Sequence, residues 1–88
     1  MTTTLDPNLL TAMADLKTAF WKAVHEQRHF DSLDRARELK AVCESFRRLH
    51  APETREVFVT CDREIGQPLT VLAWDAQGDA VVLFEERS

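Results

Sequence analysis

The chain has 88 residues, of which 44% are hydrophobic and 30% charged, with a formal net charge of −4 at pH 7. This composition lies outside the disordered regime, and no apolar run approaches the ~20 residues that cross a bilayer. A disordered chain and a membrane-spanning helix are therefore excluded, and the length suits one domain, residues 1–88, that buries about 60–65% of its unfolded surface.

The opening Met-Thr-Thr-Thr-Leu-Asp-Pro has no basic start and no apolar stretch. No export signal is expected, and the compartment is read as cytoplasmic. Asp6 can cap the free amides of a first helix, and Pro7 fits its first position, where no N–H is missed. Leu9, Met13, Leu16, Phe20, Ala23 and Val24 recur at steps of three and four, which predicts a helix over about 7–29. Leu10, Ala14 and Trp21 form a flanking strip roughly 100° away on the helical wheel, where the indole lies either at the edge of the core or in solvent.

Phe30-Asp31-Ser32 breaks the pattern, and Asp31 or Ser32 can cap a second helix. Leu33, Ala36, Leu39, Val42, Cys43, Phe46 and Leu49 form its apolar stripe over about 32–50, and Pro52 ends it near His50. The outer face carries Arg37, Lys40, Arg47 and Arg48, with Glu44 placed to pair locally. Residues 32–50 hold five basic and three acidic side chains. The short break implies an antiparallel helical hairpin.

From Glu56 the period changes to two, which predicts strands over about 56–62, 69–75 and 80–86. Asp75 and Gly78 suit a type I turn followed by a bulge between the last two. If Asp75 and Asp79 close that turn, Trp74 faces Ala80, Leu72 faces Val82 and Thr70 faces Phe84, a natural seat for the hairpin. The opposite face then holds Leu69, Val71, Ala73, Val81 and Leu83. Both faces are apolar, whereas an antiparallel sheet with one side in water alternates apolar and polar. One hairpin can cover one face of a small sheet, so the other should meet a second copy of the chain or another protein. The alternative is that the helices split, one to each face, and close a single core.

Residues 25–29 read His-Glu-Gln-Arg-His. On one helix, histidines at i and i+4 share a face where both can bind zinc, and the glutamate between them can activate the metal's water. The segment resembles the HExxH helix of zincin metalloproteases. That resemblance implies His25 and His29 as ligands, Glu26 as base, and Glu44 or Glu53 as a third ligand. It covers five residues. Arg28 puts a cation beside the metal. Both histidines fall opposite the Leu9–Met13–Leu16–Phe20 stripe, and nothing before Asp6 can form a substrate-aligning strand. The reading is therefore two solvated histidines, with no metal.

Other chemistry is thinner. Ser32 and Ser45 lack a glycine-flanked elbow, and the only glycines, Gly66 and Gly78, lie in turns rather than in a phosphate loop. Cys43 and Cys61 read as buried free thiols rather than a disulfide. The basic face of the second helix could touch phosphates. Residues 56–88, with two basic and seven acidic side chains, argue against a nucleic-acid surface there.

The sequence thus predicts an α+β fold of two layers, a helical hairpin followed by a three-stranded antiparallel meander. Dynein light chains are similar in this order of elements and dimerise through the sheet; the likeness is of architecture alone, since none of their sequence signature is present here. The expected function is a small non-catalytic protein-interaction module without cofactor. It would bind a partner protein or form a homodimer, with no membrane partner, through Leu69, Val71, Ala73, Val81 and Leu83, flanked by Leu10 and Trp21. A zinc-dependent hydrolase or a metal site at the His25–His29 segment and a nucleic-acid-binding regulator using helix two are the alternatives.

Overall fold

A computed structural model describes residues 4–87. Residues 1–3, the start of the segment read for an export signal, and residue 88 lie outside the described residues. Two helices, α1 (Pro7–His25) and α2 (His29–His50), precede strands β1 (Glu56–Asp62), β2 (Gln67–Trp74) and β3 (Ala80–Glu85). The strands form one antiparallel sheet in the order β1-β2-β3. This is the α+β fold that the two periodicities predict. Among the described residues no helix is long and apolar enough to cross a membrane.

Asp6 caps α1 by accepting a hydrogen bond from the Asn8 amide at 2.8 Å, and its own amide donates to His50 Nε2 at 3.1 Å. The start of the first helix is thereby tied to the end of the second. α1 stops four residues earlier than its apolar pattern predicts. The Arg28 amide donates to Ala23 O and the Gln27 amide to Val24 O, while Gln27 turns left-handed at φ 58°. Those two bonds satisfy two of the orphan carbonyls of the last turn, those of Ala23 and Val24. No glycine marks the stop, so nothing in the pattern signals it.

α2 in turn begins three residues earlier than predicted. Asp31 and Ser32 lie inside its first turn rather than capping it, and the N-cap residue, Arg28, supplies no side-chain cap. Asp31 instead places a carboxylate in the first turn, where the helix dipole favours it, and pairs with Arg28. α2 ends at His50, as the following Pro52 requires, and Arg47 ties the exit together. Its guanidinium donates to Pro52 O at 3.2 Å and Thr54 O at 3.1 Å. Glu44 orients it through bonds of 3.0 and 2.7 Å.

The β2–β3 turn has the predicted chemistry. Asp75 Oδ1 accepts from the Gln77 and Asp79 amides at 2.9 and 2.8 Å, and Gly78 takes φ 85°, a conformation open to glycine at little cost. Trp74 faces Ala80 and Leu72 faces Val82 as expected. The register then shifts, so that Phe84 faces Val71 and Glu85 faces Thr70. This bulge leaves Leu83 as the extra residue and moves Phe84 to the other side of the sheet.

The core lies between the hairpin and the face bearing Val57, Val59, Cys61, Leu69, Val71 and Ala73, all buried. Met13 and Ala14 of α1 and Cys43 and Phe46 of α2 close over it. The predicted seating is therefore inverted. Leu69, Val71 and Ala73, expected on an open face, lie beneath the helices of their own chain. Both faces of β2 are apolar, so its alternation carries no sign telling which one the hairpin takes.

Candidate partner-binding site

Cross-strand partners share a face. The pairings Glu56–Trp74–Ala80 and Phe58–Leu72–Val82, with Thr60–Thr70–Glu85 beyond, therefore build three rows across the sheet side opposite the hairpin. The middle row is wholly apolar. Val82 is 57% exposed and Trp74 41%, while Phe58 and Leu72 are half-buried. The rings of Phe58 and Trp74 stack at 5.3 Å between centroids. That contact holds the indole against the sheet and leaves its outer surface uncovered. The charged groups at these strand positions are Glu56 and Glu85, and Arg55, just before β1, lines a hollow with Glu56 and Trp74, which leaves the face net negative by one charge.

The other residues expected to bind a partner are dispersed. Leu83 and Leu10 are half-buried and pack on the core. Val81, on the core side, is 36% exposed because β3 is the strand farthest from the helices, which pack chiefly on β1. Trp21 is half-buried, against Phe20 at 5.2 Å and His25 at 6.3 Å. The docking set inferred from the sequence does not form one surface. The open patch is Phe58, Leu72, Trp74 and Val82. Its signal was present in the same alternation, but assigning it needed the seating of the hairpin.

His25 ends α1 and His29 begins α2, with the left-handed Gln27 between them. The single-helix i, i+4 geometry of the zincin motif is not formed. Glu26, the base in that resemblance, pairs with Arg28 at 2.8 Å. Among the described residues, no three His, Cys, Asp or Glu side chains gather as a metal requires. On the basic face of α2, Arg47 and Arg48 both pair with Glu44, and Arg37 lies 3.9 Å from Asp34. Its hydrogen bond to Arg47 holds the Glu44 carboxyl at about 2, well below the carboxylate range.

Two further apolar features lie outside that patch. At the hairpin tip, Phe30 is 86% exposed, and Val24 and Leu33, which the periodicity assigns to the two core-facing stripes, are exposed as well because the helices end there beyond the edge of the sheet core. A phenylalanine inside a helix break was the one hint. Along β1 runs a groove of about 220 Å³, lined by residues 56–59 and by Phe20, Leu39, Cys43, Lys17 and Lys40 among others from the hairpin. Burial pushes the Cys43 thiol up to about 11, against the opposing pull of Lys17. Neither Cys43 nor Cys61 is in a disulfide. Comparison with protein-family models, with curated proteins and with solved structures gives no match to the chain.

Proposed function

We propose that this chain is a small non-catalytic interaction module that receives one amphipathic helix of a partner protein on the open face of its sheet. The observation that carries the reading is the uncovered row Phe58–Leu72–Val82 with the Trp74 indole beside it. Strands stand about 4.8 Å apart, so the face is about 10 Å from β1 to β3, close to the ~10–12 Å diameter of a helix. Its area, on the order of 300 Å² from the strand spacing and rise, is well below the ~800 Å² per partner of a standard interface. Any occupant confined to this face is therefore held weakly, and what selects a helix over a second copy is the match in width together with the charged flanks. With Arg55 beside Glu56, the face is net negative by one charge, and Glu85 at its far end favours a helix flanked there by Lys or Arg. A cytoplasmic setting belongs to the same proposal, supported by two buried thiols that stay unpaired.

The test uses a synthetic helical peptide with leucines at i, i+3, i+4 and i+7 and lysines on both flanks. Trp21→Phe leaves Trp74 as the single fluorophore. Saturable blue-shifted emission, lost on Val82→Asp and absent with a scrambled peptide, is the expected result. Equal response to the scrambled peptide, or indifference to Val82→Asp, overturns the reading. Sedimentation showing a tight dimer that Val82→Asp dissociates would overturn the helix as occupant and install a second copy.

A further inference from the structure

β1 is an edge strand, hydrogen-bonded to β2 alone, and the groove follows its free side. Four consecutive β1 residues, 56–59, line that groove. Successive strand side chains point to opposite faces, so a cavity touched by all four is open to the backbone itself. An unpaired row of N–H and C=O groups is a template for another strand. The facing wall is the hairpin, where Phe20 and Leu39 offer apolar surface and Lys17 and Lys40 offer ammonium groups.

We propose that the free edge of β1 and this groove form a strand-addition site for an extended, acidic segment of a partner protein. Lys17 stands over the Phe20 and Trp21 rings, 5.1 and 5.2 Å from their centroids. Among the described residues neither Lys17 nor Lys40 forms a salt bridge with a carboxylate. Glu56 lines the groove as well, which leaves it net positive by one charge. The added chain gains main-chain bonds from β1 and charge pairing from the two lysines. At about 220 Å³ the groove falls below the ~300–1,000 Å³ of enclosed small-molecule sites. A second copy fits less well. Antiparallel pairing of β1 with itself about Val59 sets Glu56 opposite Asp62 at both ends, and like charges directly across are destabilising.

The probe is a short blocked peptide alternating valine and threonine, with glutamate at both ends. Binding is followed by amide chemical shifts and hydrogen exchange of the full chain. Shifts and slowed exchange at residues 56–59 are expected. N-methylation of alternate peptide amides should cost about tenfold or more in one phase and little in the other, because one edge of the added strand does the bonding. Lys40→Glu, an exposed position, should weaken the glutamate peptide by roughly fivefold and improve a lysine-ended version. Equal loss in both methylation phases, no preference between the two charge versions, or absence of saturable binding overturns the proposal. Val82→Asp, which disables the open face, should leave this peptide's affinity unchanged; a matching loss would assign the binding to that face instead.

Discussion

Val71 and Leu72 are neighbours in β2 on opposite sides of the sheet, and lysine at each should have opposite consequences. Val71 is fully buried, facing Val59 on one side and Phe84 on the other. Val71→Lys gives up about 1.5–3 kcal/mol of apolar burial and sets an ammonium where water does not reach, a further penalty of several kcal/mol. A domain of this length has roughly 4–13 kcal/mol of stability in total. The variant should therefore lose half or more of its stability, with a Tm far below that of the parent chain. Leu72 is half-buried between Phe58 and Val82, and a lysine stem can lie along that surface with its charge in water. Leu72→Lys should cost about 1 kcal/mol, a drop of roughly 4–8 °C in Tm. Circular dichroism melts and urea titrations of the two variants measure this directly. A cooperative Val71→Lys melt near that of the parent chain, with Leu72→Lys unfolded, would mean that the hairpin sits on the other face.

Alkaline pH should reveal the buried thiol. Cys43 titrates at about 11 in the folded chain against an ordinary 9.0. Its contribution is complete below pH 9 and is lost as the pH rises through 11. Roughly 2–3 kcal/mol should disappear over that window, and Cys43→Ala should flatten this part of the urea-midpoint profile. Glu44 behaves oppositely. Its carboxyl is held at about 2 by the hydrogen bond to Arg47, so its stabilisation is present above the ordinary value of 4.5 and is lost as the pH falls towards 2. Glu44→Gln should speed amide exchange around Thr54 at neutral pH and weaken the acid dependence there. Gln27→Gly should raise stability by about 0.5–1 kcal/mol, read as a higher urea midpoint, because glycine accepts the left-handed turn between the helices without strain. No gain would mean that the turn relaxes without it.

Local chemistry determined the order of elements. Asp6-Pro7 opens a helix, Pro52 closes one, and Asp75 with Gly78 turns a hairpin, because each acts on backbone groups within a few residues. The apolar period of two identified the strands and showed that both sheet faces are greasy. Three matters depended on tertiary structure. The helix break at Gln27 carries no glycine or proline, so only the paired geometry of the hairpin reveals it. The bulge at Leu83 inserts one residue and exchanges the sides of everything after it, carrying Phe84 to the core. Finally, the hairpin chose between two apolar faces by how Met13, Ala14, Cys43 and Phe46 fit against Val57, Val59 and Val71. A period of two states that side chains alternate; which alternate set is enclosed follows from the shape of the surface that meets it.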